Sequence, residues 1–112
     1  MDSEIQAWLY DILNAIIEIE SFVPDSNIDI DLYRQDIKTK RAVERGLEII
    51  GEAMNRVLRK DDSIILSNAR KIVETRNRII HGYDSVSDET ILGIVIYHIP
   101  VLKQEVSAIL GE

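Results

Sequence analysis

An all-α protein, an up-and-down bundle of four long helices with a possible short fifth one, is the fold this sequence predicts. Three observations predict it. Apolar residues recur at helical spacing along nearly the whole chain, no strand-like alternation lasts, and the helix breakers (two prolines, five glycines) are confined to short stretches. The 112 residues are expected to form a single domain, 1–112, within the ordinary size of one hydrophobic core. A hydrophobic fraction of 46% is enough to fill that core.

In the first segment Ile5, Leu9, Ile12, Ile16, Ile19 and Val23 advance by three or four residues, which places them on one seam of a long amphipathic helix. Pro24 and the turn formers Asp25, Ser26 and Asn27 end it. A short helix or turn is expected near 29–36. Val43, Leu47, Ile50, Met54 and Val57 then mark a second long helix, roughly 37–60, closed by "KDDS". A third is expected from about Ser67 to His81, where Gly82 can terminate it. The fourth should run over about 88–110, capped by Ser87 or Asp88. Pro100 lies inside it and should kink it, because proline lacks a backbone donor and crowds the preceding turn. That helix, "ILGIVIYHIPVL", is apolar nearly all round. It therefore either sits centrally or is shared with a partner, and a homodimer is expected. His98 on this helix reads as a core or interface histidine.

The absence of cysteine excludes both a disulfide framework and a thiolate metal site. It fits a reducing, cytoplasmic setting. The N-terminus "MDSEIQAWLYD" has early acids and no basic stretch, unlike a signal peptide, and no run approaches the ~20 apolar residues of a membrane span. No membrane association is expected. The formal net charge of −7 conceals a strong asymmetry. Residues 1–33 carry eight acids and no Lys or Arg, whereas residues 34–78 carry twelve of the thirteen bases. A basic middle third can attract phosphate even in an acidic molecule, since screening limits distant charges to about 8–10 Å.

That basic third ends in "RNRIIHGYDS", 76–85. Ala69, Ile72, Arg76 and Ile79 share a stripe, so Arg76 lies among apolar positions and must snorkel, pair with a carboxylate or face an anion groove. Arg76 and His81 are five apart, about 140° around a helix, and cannot both point at one ligand from mid-helix. Termination at Gly82 would let the imidazole swing. A second copy of the helix across a twofold axis would instead bring one chain's Arg76 near the other's His81. Histidine suits proton transfer near neutral pH, and arginine forks onto phosphate oxygens. Metal-ligand spacing is absent, so metal-independent work on a phosphodiester is what these residue types can do. RNA brings its own nucleophile in the 2′-OH.

The run Arg76-Asn77-Arg78-Ile79-Ile80-His81-Gly82-Tyr83 resembles the R-x4-H-x-Y signature of HEPN-domain toxins of the HepT type. The upstream "RAVERGLEIIGEA", 41–53, is similar to the long helix of that group, and the resemblance covers nearly the whole chain in order. It implies a HEPN-like helical dimer acting as a metal-independent endoribonuclease toxin at a cleft between protomers, without a cofactor. Carried over by position, Arg76 and His81 would be catalytic and Asn77 would hold their geometry. Tyr83 would be the hydroxyl that a minimal nucleotidyltransferase antitoxin modifies with AMP.

Two alternatives stay open. Along the second helix Lys38, Arg41, Arg45, Glu48, Glu52, Arg56 and Arg59 form a charged stripe. It is either a solvated face held by pairs such as Glu52–Arg56 or a surface that guides RNA or docks a partner, with Arg41, Arg45 and Arg78 as candidates. The site itself could be a non-catalytic module that binds a nucleotide or a nucleotidyltransferase. Trp8 reads as a core residue.

Overall fold

The computed structural model describes residues 1–24, 27–82 and 86–112. The elements are α1 (Ser3–Phe22), α2 (Ile30–Gln35), α3 (Ile37–Lys60), α4 (Ala69–His81), α5 (Asp88–Gly93), a π-helical turn (Ile94–His98) and α6 (Ile99–Leu110). Among the described residues there is no strand. Local chemistry explains most of the boundaries. Asp2 accepts from the backbone N–H groups of Glu4 and Ile5 at 2.9 and 3.1 Å, capping α1. Asp29 does the same for α2, Asp36 for α3 through Thr39, and Ser87 for α5 through Thr90. At the other end of α4, Gly82 takes φ +63°, the left-handed conformation that ends a helix without a Cβ clash.

The predicted seams are the core. Ile5, Leu9, Ile12, Ile16 and Ile19 of α1 bury against Val43, Leu47, Ile50, Met54 and Val57 of α3. α3 packs against α1 on one side and α4 on the other, and α6 lies against α1. The extents of 43 × 31 × 19 Å correspond to about two layers of helices across the thin direction. In α4 only Ile72 and Thr75 are buried, and the Thr75 hydroxyl is satisfied by donating to the Lys71 carbonyl at 2.8 Å. Ser67 ties the entrance of α4 to α6, its N–H and hydroxyl donating to Glu105 at 2.9 and 2.6 Å.

The last helix differs from expectation in two respects. The disturbance expected at Pro100 takes the form of a π turn just before it, in which the Ile99 N–H reaches back five residues to the Ile94 carbonyl. Pro100 then stands in the first turn of α6, where a missing donor costs least. The second difference is a correction. Asp88–Leu110, at mean hydropathy 1.2, is long and apolar enough by length and composition to cross a membrane. Its apolarity has a packing reason: Ile91, Leu92, Ile94, Val95, Ile99, Leu102 and Val106 are buried in the bundle. It is not enclosed on every side, for Tyr97 is 72% exposed and Val101 is exposed beside it. Lys103 near its end donates to Glu20 of α1 at 2.8 Å.

Candidate active site

The site is built at the contact of α3 with α4. Gly51 is buried there, and a Cβ on it would stand 2.5 Å from the Arg76 Cβ. The absent side chain lets Arg76 lie flat against α3 and carry its guanidinium toward α1. The Arg76 side chain is 23% exposed. Its terminal nitrogens are engaged: one donates to the Asn77 carbonyl oxygen at 2.8 Å, the other to the Glu52 carboxylate. Its Nε is buried and has no hydrogen-bond partner among the described residues. Glu52 bonds Arg56 as well, at 3.0 Å, so one carboxylate joins two guanidinium groups.

Arg76 opens on a cavity of about 330 Å³ between α1, α3 and α4. Trp8, Ile49, Ala53 and Ile80 form its apolar walls, and Asp11, Arg45, Glu48 and Arg56 add charge. Trp8, expected in the core, is only half-buried, and the Lys60 ammonium lies 5.9 Å from its ring centroid. Lys60 is itself held by Asp2 and Glu4 at 3.1 and 2.6 Å.

The expected site residues separate into two groups. Arg76, Asn77 and Arg45 gather around this cavity or its guanidinium. His81 is exposed at the last position of α4 and does not line the cavity. Arg41 and Arg78 line a second, more polar cavity of about 340 Å³ with Gly82 and Asp88. Within this chain, then, Arg76 and His81 do not share a cavity, in keeping with their 140° separation along the helix. Tyr83 lies outside the described residues. Along α3 the stripe is laced by Arg41–Glu44 at 2.7 Å and Arg45–Glu48 at 3.2 Å, the arrangement of a solvated face. Among the described residues no three His, Asp or Glu side chains converge in a way that could hold a metal ion.

Sequence reasoning assigned Glu52 only to Arg56 and missed its pairing with Arg76, 24 residues away. A signal was present in "LEIIGEA": a glycine on the buried side of a long helix marks a close approach, and the residue after it lies at that contact.

The all-α bundle, with a partly buried arginine beside a cavity five residues before a helix-end histidine, is consistent with the HEPN-like fold that the sequence resemblance implies. Residues 12–109 match the family described as Ribonuclease HepT-like. A Methanocaldococcus jannaschii protein whose name provisionally designates it an RNase is 32% identical, over 97% of this chain and 89% of its own. Two others from the same organism, with names of the same form, are each 32% identical. They cover 97% and 95% of this chain, and 93% and 96% of their own lengths. No solved structure gives a significant match. The chain belongs to the HepT-like ribonuclease family.

Proposed function

We propose that the chain, acting as one domain over residues 1–112, is a cytoplasmic endoribonuclease toxin that works as a homodimer without a metal ion. The observation that carries this reading is Arg76: a guanidinium held beside an open cavity, with a buried Nε that has no acceptor among the described residues. In the proposed dimer the twofold brings one protomer's Arg76 toward the other's His81, which answers their separation along α4. One His81 takes the proton of the RNA 2′-OH as that oxygen attacks phosphorus. The other His81 protonates the departing 5′-oxygen, and a 2′,3′-cyclic phosphate remains. Arg76 offsets the charge that builds on the non-bridging oxygens, with Asn77 fixing its plane. Arg41, Arg45 and Arg78 guide RNA or the partner. A nucleotidyltransferase antitoxin silences the site by placing AMP on Tyr83, which adds bulk and negative charge beside a phosphate site.

One observation favours a second reading, a non-catalytic module that binds a nucleotide or a nucleotidyltransferase. The Glu52 carboxylate already occupies Arg76, as a structural ion pair would. Purified protein, with Tyr83 confirmed unmodified by mass, and its His81→Ala variant separate the two in total RNA with EDTA. Cleavage by the native protein alone, with cyclic-phosphate ends, is the expected result. Silence from both would overturn the nuclease and favour the binding module over it.

A further inference from the structure

The cavity beside Arg76 has features that a phosphate-binding cleft does not need. Part of its wall is apolar, from Trp8, Ile49, Ala53 and Ile80, and includes an indole on which a flat aromatic ligand can stack. Three carboxylates, Asp11, Glu48 and Glu52, line it together with the guanidinium groups of Arg45, Arg56 and Arg76, and Glu52 is taken up by Arg56 and Arg76. Glu48 spends one oxygen on Arg45 at 3.2 Å and keeps the other, and Asp11 forms no ion pair with another described residue. The volume of about 330 Å³ is at the small end for ligand pockets and suits a single ring system with its sugar.

From this combination we infer that the cavity is a nucleobase subsite, which takes the base of the nucleotide whose phosphate meets Arg76 and favours bases with an exocyclic amine. This rests on the ribonuclease reading for its source of nucleotides. The base lies against Trp8 between Ile49 and Ile80. Asp11 and Glu48 accept from the amine of adenine, cytosine or guanine. Uracil has no amine and offers only its imide N–H. Lys60, anchored by Asp2 and Glu4, lies over the indole and is not part of the cavity lining, so it holds the ring without occupying the site.

Trp8 is the sole tryptophan of the chain, so the subsite carries its own optical probe. The test titrates the four nucleoside 3′-monophosphates into the native protein and follows tryptophan emission. The adenosine, cytidine and guanosine forms should change it saturably, with uridine about tenfold weaker, the size of a lost hydrogen bond to a charged group. An Asp11→Ala, Glu48→Ala double variant, verified as folded by circular dichroism, removes both acceptors and should lower the three to about the level of uridine. On a defined single-stranded RNA the same variant should broaden the base preference beside the cut. No saturable change, or equal affinity for all four nucleotides, would overturn the subsite. Selective emission changes without RNA cleavage would keep the subsite, as one for free nucleotides, and overturn the nuclease reading. Cleavage without selective emission changes would do the reverse.

Discussion

α3 approaches its two neighbours through two buried glycines five residues apart, and the two contacts serve different ends. At Gly46 a Cβ would meet Ile19 of α1, 2.7 Å from its Cγ1 and 2.8 Å from its Cδ1. At Gly51 it would meet the Cβ and Cγ of Arg76, at 2.5 and 2.9 Å, with the Ile72 carbonyl oxygen at 3.4 Å behind them. The first glycine lets two apolar surfaces interlock, and the atoms in its way are the γ and δ carbons of a buried isoleucine. The second holds a cation against the helix, and the nearest atom in its way, the Arg76 Cβ, is bound rigidly to the backbone of α4. The same device thus builds the core on one side of α3 and presents a charged group on the other. Their tolerance to change should differ accordingly.

The sharpest break of the comparison is Gly51→Ala. The added methyl must push α4 away from α3, at a cost of about 1–3 kcal/mol for overpacking, and lower the melting temperature by roughly 5–10 °C in calorimetry. Moving Arg76 by even 1 Å should lower RNA cleavage about 100-fold. Gly46→Ala is the control. There only the γ and δ carbons of Ile19 must shift within the core, and the ~0.5–1 kcal/mol that alanine gains over glycine in a helix offsets part of that crowding. Its melting temperature should stay within about 3 °C of the native protein, with cleavage unchanged. Equal effects of the two substitutions would show that the contacts are equivalent after all.

A smaller effect is expected at Glu52, the carboxylate that holds Arg76 on the α4 side. Glu52→Gln keeps the shape and removes the charge that competes with phosphate for the guanidinium. RNA binding should then depend more steeply on salt, with the log–log slope larger by about 0.7 for one further phosphate contact on a single strand. Folding stability should change by less than about 1 kcal/mol, because the pair is partly exposed to solvent. An unchanged slope would mean that phosphate never reaches Arg76.

The smallest effect is one of pH, and it concerns the core side. The backbone N–H of Ile5, followed by Lys60, holds the Asp2 carboxyl below its ordinary value of 3.8. Its contribution is therefore present above that value and lost as pH falls through the folded one. Glu4, followed by Asp2, holds the Lys60 ammonium above 10.5. Burial, followed by Asp88 and Glu44, raises the Tyr33 phenol well above 10.0. Both contributions are complete below those ordinary values and lost as pH rises through the folded ones. Urea denaturation should show a plateau from about pH 5 to 9 that declines on each side. A maximum confined to one narrow pH would contradict it.

The two sides of α3 were also unequally legible in the sequence. The core side could be read nearly residue by residue, because burial imposes a period of three to four and every member of the α1 and α3 seams obeys it. Breakers supplied the ends: Ile37–Lys60 closes where "KDDS" places it, and Gly82 stops α4 as expected. The site side was legible only as residue types. Periodicity placed Arg76 in an apolar stripe, but its partner Glu52 is determined by how two helices are set against each other, which no local pattern records. Trp8 packs against the core as expected, but its second role as a cavity wall was not legible, since one indole fits both. Periodicity also hid the π turn, because a helix with one residue too many keeps its apolar composition.

That surplus residue is absorbed where it stands. A π turn is an α-helix with a single residue inserted. Leu92, Val95, Ile99, Leu102 and Val106 are buried before, within and after it at steps of three and four, so the core face runs through the turn unbroken. The extra backbone brings Pro100 into the first turn of α6, where its missing donor costs least, so the turn serves the proline and leaves the apolar face as it was.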